Sequence, residues 1–148
     1  MYAIGVDSGT QGTKVLISDF EGNIQGRGFH PHRLIEGLRP GESEQEPHLW
    51  IEAFEKALLE ALKSAKVNPS KIVSLGISGQ QHGFVPLNEN GEPIRPAKLW
   101  NDTSTVEETE IIIEKLGGSK SFIQKLGISL AVGFTASKIL WLKRKEPD

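Results

Sequence analysis

The chain has 148 residues, 37% of them apolar and 24% charged, with 16 glycines, no cysteine and a formal net charge of −2. That composition suits a globular domain and excludes a disulfide scaffold, a thiolate zinc centre and the positive field that would draw a nucleic-acid backbone or an anionic membrane. No apolar run approaches the ~20 residues of a membrane span, and Tyr-Ala-Ile-Gly-Val-Asp after Met1 lacks the basic start and apolar core of a secretory signal, so a cytoplasmic protein without a nucleic-acid or membrane partner is expected.

Residues 2–6 are compact and apolar, 7–12 read as a tight turn, and 13–20 are again β-branched and apolar, so the chain opens as two strands joined by a short loop. A second turn over 19–23 lets 24–29 return as a third strand, which completes an antiparallel meander. Residues 31–47 are polar, hold glycines and prolines without a usable period, and are expected as a surface excursion. Pro47 suits a first helical turn, with Glu46 at the positive end of the dipole. Ile51, Phe54, Leu58, Leu62 and Ala65 follow at three- and four-residue steps, predicting one apolar stripe on an amphipathic helix.

Residues 72–77 are apolar on both faces, which predicts a strand covered on both sides, as in a parallel or mixed sheet. A helix followed by such a strand makes the class α/β. Residues 83–87 and 92–100 flank Asn90-Gly91, a turn signal, while Pro86 and Pro93 confine them to edges or loops. Helices are expected over 105–116, ended by Gly117-Gly118, then from Ser119, then from about Thr135, which can cap it. In that last helix Lys143, Arg144 and Lys145 follow Ile139, Leu140 and Leu142, and Pro147 stops it. No repeat or low-complexity tract divides the chain, so one domain over 1–148 is the economical reading.

Three stretches could carry chemistry. Asp7-Ser8-Gly9-Thr10-Gln11-Gly12-Thr13-Lys14 joins two predicted strands. Gly9 and Gly12 permit positive φ and a close approach of backbone N–H groups to an anion, Thr10 and Thr13 carry hydroxyl donors, and Lys14 adds charge. Asp7 would repel a phosphate unless a divalent cation stood between them, which implies Mg²⁺. The loop lacks the Gly-Lys-Ser/Thr ending of a P-loop, and the same residues would also serve an ordinary hairpin turn. Ser78-Gly79-Gln80-Gln81-His82-Gly83 follows the predicted buried strand, at the end where α/β sheets bind ligands, and its amides and imidazole match the donors and acceptors of sugar hydroxyls. His82 would equally serve as a loop histidine. In Trp100-Asn101-Asp102-Thr103-Ser104-Thr105, Trp100 offers a flat face to a sugar ring and Asn101 and Asp102 offer hydroxyl partners, while Asp102, Ser104 or Thr105 would also cap the next helix. His30 and His32 share a strand without a third ligand and read as surface residues.

Together these stretches resemble the FGGY carbohydrate kinases, and within them the xylulokinase group. Asp7, Gly9 and Thr10 match an Asp-x-Gly-Thr hairpin, and Ser78 to Gly83 is similar to the group's sugar motif. Arg95-Pro96-Ala97-x-Leu99-Trp100-Asn101-Asp102 and Gly133-Phe134-Thr135-Ala136-x-Lys138 are also similar, in the same order along the whole chain.

The resemblance implies an actin-like, ribonuclease-H-like ATPase fold, in which 1–148 is an incomplete amino-terminal sugar domain and the carboxyl-terminal ATP domain is absent. It implies transfer of the γ-phosphoryl group of ATP, with Mg²⁺, to D-xylulose, giving D-xylulose 5-phosphate. A kinase for another ketose, pentose or polyol is the alternative, and a non-catalytic actin-like binding module is the alternative from another class. By the same resemblance Asp7 serves the metal, Gly9, Thr10, Gln11, Gly12, Thr13 and Lys14 face the phosphates, and Gln81, His82, Trp100, Asn101 and Asp102 hold the sugar. The catalytic Asp is expected downstream of Asp148, so the chain alone is expected to lack appreciable turnover. The family commonly carries an Arg two residues beyond that Asp of Trp-x-Asp, where Ser104 stands here. Sugar and ATP are the expected partners, with a homodimer left open.

Overall fold

The computed structural model describes residues 1–147. In chain order its elements are β1 (Tyr2–Ser8), β2 (Gly12–Asp19), β3 (Ile24–Pro31), β4 (Glu44–Gln45), α1 (Pro47–Ala65), a 3₁₀ turn (Pro69–Lys71), β5 (Ile72–Gly79), β6 (Ala97–Lys98), α2 (Val106–Lys115), α3 (Gly118–Leu126) and α4 (Thr135–Lys145). No helix among the described residues is long and apolar enough to cross a membrane. The protein is α/β, and it divides into two compact units, one of residues 1–34 and 46–80, the other of 35–45 and 81 onward.

The first unit is a four-stranded mixed sheet of order β3-β2-β1-β5. β1, β2 and β3 form the expected antiparallel meander, with Val6 opposite Val15 and Asp7 opposite Lys14. After α1 the chain returns as β5, parallel to β1, with Asp7 beside Ser78 and Ser8 beside Gly79. Ile4, Val6, Val15 and Ile17 project from one sheet face into a core closed by Ala57 and Ala61 of α1. Strand alternation therefore turns Asp7 and Lys14 to the opposite face.

The helix meets the sheet differently from the periodicity. Ala53, Ala57 and Ala61 are its buried residues, Phe54, Leu58 and Leu62 are only partly covered, and Ile51 is exposed. The reason lies in β3, where a Cβ on Gly28 would sit 1.9 Å from the Ala57 carbonyl oxygen and one on Gly26 2.3 Å from that of Ala61. Glycine against alanine lets the two backbones approach closely, so the larger residues fall to the flanks. From the same helix Ser64 accepts from Arg27 N–H at 3.0 Å and Glu60 accepts from Phe29 N–H at 2.9 Å, which covers the outer edge of β3.

β5 overturns another expectation. Val73, Leu75 and Ile77 are 55, 46 and 69% exposed rather than covered on both faces, because β5 is an edge strand and α1 lies over β2 and β3. His32, expected at the surface, is buried.

In the second unit β4 pairs with β6, so part of the 31–47 segment is a strand with Ser43, Glu44 and Gln45 buried. Around Asn90-Gly91, where edges or loops were expected, the described residues form two isolated bridges and the short β6. The turn itself is present, with Asn88 Oδ1 accepting from the N–H groups of Asn90 and Glu92 at 2.9 Å each. Gly117 has φ +91° at the end of α2, as a left-handed cap requires. Thr135 opens α4 without making a side-chain cap. Thr105 and Ser137 share a hydroxyl bond of 2.9 Å, and Arg144 of α4 pairs with Glu107 and Glu108 of α2.

Candidate functional site

The hairpin between β1 and β2 is closed by Gly9 N–H donating to the Gly12 carbonyl at 3.0 Å. Neither glycine has positive φ, contrary to the expectation for an anion-cradling turn. Gly12 is required for packing instead: a Cβ there would lie 2.6 Å from the Phe29 ring and 2.7 Å from the His30 carbonyl oxygen. Thr13 is fully buried, and its hydroxyl donates to Ser8 Oγ at 3.3 Å. Asp7, Gln11 and Lys14 are exposed.

Gln80, expected from the sequence as one of the two amides meeting sugar hydroxyls, instead anchors this loop. Its Oε1 accepts from the Thr10 hydroxyl at 3.2 Å and its Nε2 donates to the Gly9 carbonyl at 3.4 Å. The signal was a glutamine just past the end of β5. The parallel pairing of β5 with β1 brings it to the loop tip.

A cavity of about 870 Å³ opens on this unit, and Asp7, Lys14, Arg27, Phe29 and Ser78 are among its lining residues. Among the described residues no group of three His, Asp or Glu side chains could hold a metal ion. The exposed carboxylate of Asp7 on the cavity wall nevertheless fits Mg²⁺, which takes one or two protein carboxylates and completes its octahedron with water and substrate phosphates.

In the second unit Gln81, His82, Trp100 and Asn101 are all exposed, and Trp100 retains 52% of its surface. His82 has φ +54°, and its ring stacks on Phe134 with centroids 4.0 Å apart and planes 16° from parallel. Lys138 of α4, fully buried, donates to the carbonyls of His82 at 2.8 Å, Leu99 at 2.5 Å and Gly133 at 2.6 Å. One ammonium thus joins the loop of His82 to the strand end that presents Trp100 and Asn101. A Cβ on Gly133 would lie 2.2 Å from the Trp100 carbonyl oxygen, so only glycine lets these segments meet. Burial pushes the Lys138 ammonium down to about 8, with Asp102 pulling it up and Lys98 pushing it further down.

Asp102 differs from its exposed neighbours. It is fully buried; Oδ2 accepts from Ser43 N–H and faces Lys98 Nζ, both at 2.9 Å, and Oδ1 accepts from Ser104 N–H at 3.0 Å and its hydroxyl at 2.6 Å. Burial raises its carboxyl, but the donors from Ser104, Ser43 and Lys98 outweigh burial and hold it below 3.8. Lys98 also pairs with Glu44 at 3.1 Å, Glu44 with Arg95 at 2.7 Å, and Lys98 and Arg95 both lie over the Trp141 ring. Both oxygens of Asp102 are thereby occupied by protein donors.

Residues 2–148 match the FGGY family of carbohydrate kinases, N-terminal domain. The chain is 47% identical over its whole length to a xylulose kinase of Haemophilus influenzae, covering 31% of that protein, and 38% identical over 98% of its length to one of Streptomyces rubiginosus, covering 29%. A solved xylulose kinase from Brucella ovis superposes over the whole chain with a TM-score of 0.91 and 32% identity, again covering 30% of that structure. The chain therefore spans about a third of the length of these relatives. The shared architecture is that of sugar kinases with the actin-like ATPase fold. From the family match, the identities and the superposition together, this chain belongs to the FGGY family of carbohydrate kinases.

Proposed function

We propose that the chain is the incomplete amino-terminal, sugar-holding domain of a cytoplasmic ATP-dependent kinase, with nucleotide binding completed by a carboxyl-terminal domain beyond these residues. The complete enzyme converts D-xylulose to D-xylulose 5-phosphate by transfer of the ATP γ-phosphoryl group. The observation that carries this reading is the exposed group of Gln81, His82, Trp100 and Asn101, organised around one buried ammonium, in a chain 47% identical to a xylulose kinase. Two amides and an imidazole supply both donors and acceptors for vicinal hydroxyls, and the indole face supplies the apolar contact of a sugar ring. Asp102 fixes the loop that displays them rather than touching the sugar, since its oxygens are already taken.

Phosphoryl transfer depends mainly on positioning and charge neutralisation. In this reading Mg²⁺, when bound with ATP, neutralises the phosphate oxygens; Asp7 would hold it, Lys14 would add positive charge beside it, and Gly9 to Gly12, braced by Gln80, would shape the wall facing the phosphates.

The test uses a chain extended to the length of its relatives and measures ADP release with a panel of ketoses and polyols. D-Xylulose is expected to be the best substrate. His82→Ala should raise KM for the sugar by roughly tenfold, the worth of one or two hydrogen bonds, and leave KM for ATP unchanged. Asp7→Ala should instead lower kcat. Activity on glycerol without activity on xylulose, or unchanged kinetics in both variants, refutes the assignment.

A further inference from the structure

We propose that Lys138 is the positioning residue of the sugar-facing loops: its ammonium gathers the backbone of His82, Leu99 and Gly133 at one point and so holds the imidazole of His82 in its presented orientation. The consequence for sugar binding rests on the kinase reading above; the clamp on the histidine does not.

Three features of the geometry converge. The first is the match between donor and acceptors, since an ammonium has three N–H bonds and meets three carbonyls at 2.8, 2.5 and 2.6 Å. A planar guanidinium cannot direct three donors to one converging set, and an amide has only two. The second is the backbone of His82. At φ +54° it lies in the left-handed region, uncommon for a residue with a Cβ although histidine enters it more readily than most. Here the carbonyl is fixed by Lys138 and the ring by its stack on Phe134. The third is the origin of the acceptors. His82 belongs to the loop after β5, Leu99 precedes Trp100, and Gly133 enters α4, so the bonds tie three separate segments of the second unit.

An ammonium buried this deeply is unfavourable by itself, and the molecule compensates it with carbonyl dipoles and the nearby charge of Asp102, against the opposing charge of Lys98. A residue serving only to fill space at this position of α4 would be apolar. The cation is spent on fixing loops.

Two readouts test this. In the 148-residue chain the stack on Phe134 should displace the His82 ring-proton resonances from those of a solvent-exposed histidine, and Lys138→Met should return them to that value while the protein still unfolds cooperatively. Should Lys138→Met fail to fold, Lys138→Gln, which keeps two donors, carries the same measurement. In the extended enzyme the folded variant should raise KM for D-xylulose at least tenfold and leave KM for ATP within about twofold. His82 resonances unmoved in the folded variant, or KM for sugar and for ATP rising together, overturn the proposal. An extended parent enzyme that phosphorylates no sugar is a failure of the kinase reading, and the ring resonances then decide the clamp alone.

Discussion

Asp102 illustrates how a side chain suited to ligand binding is consumed by its own fold. Between Lys98, Ser43 and Ser104 the carboxylate is charged and satisfied, and its folded pKa lies below 3.8. A carboxyl depressed on folding contributes stability that is fully present above its unfolded value and is lost as the pH falls through the folded one. Asp102→Asn should therefore destabilise the chain by about 2–3 kcal/mol near neutrality, because Lys98 keeps Glu44 but loses its closer partner. Below 3.8 the parent loses the same advantage, so the two denaturation curves should converge. A stability difference that stays constant from about pH 7 to about pH 3 would contradict this account.

At this scale residue type was legible, and its allocation between surface and interior was not. Residue type picked out Asp7, Lys14, Gln81, His82, Trp100 and Asn101 as binding candidates, and all six side chains are exposed. Thr13 and Asp102 carry the same functional groups but face inward; the alternation of β2 places Thr13 with Val15 and Ile17, whereas nothing local to Asp102 marks it as buried. Gln80 acts through partners some seventy positions away, and Lys138 through two of its three carbonyls some forty and fifty-six positions away, a relation that exists only after folding.

Among the elements, the contact between α1 and β3 decides how the first unit closes. The strands were readable because β-branched and apolar residues cluster between turn residues, and β1, β2 and β3 fall within a few residues of their expected limits. The buried stripe of α1 was not, since choosing Ala53, Ala57 and Ala61 over Leu58 and Leu62 depends on glycines in another element. Gly28→Ala tests that dependence. The added methyl would meet the Ala57 carbonyl at 1.9 Å, backbone that a rotamer change cannot move, so the helix itself must shift. Overpacking of this kind costs about 1–3 kcal/mol, which lowers Tm by roughly 3–10 °C in a chain of this size. Gly5→Ala is the control, because its methyl would meet nothing within 4 Å, and its Tm should hold or rise slightly. Equal losses in the two variants would mean that close approach is not what the glycine provides.

For the molecule as a whole, the consequential feature is the mismatch between the composition of β5 and its surroundings. Its sequence is that of a strand covered on both faces, yet Val73, Leu75 and Ile77 stand exposed on an edge strand that, among the described residues, pairs with β1 alone. The other edge is closed differently, with Ser64 and Glu60 occupying the free N–H groups of β3. An unprotected edge that is also apolar is a template for pairing with a second copy. At 148 residues, about a third of the length of its relatives, the chain should therefore self-associate through β5 as its concentration rises. Ile77→Lys should suppress this, since a charge on the most exposed of the three residues must be desolvated when two edges meet. Sedimentation velocity over a concentration series provides the measurement, with Ile51→Lys, at an exposed position of α1, as the control that should leave association unchanged. If the parent stays monomeric, or if both substitutions act alike, the β5 edge is not the adhesive surface, and the exposure of its apolar residues is tolerated in solution.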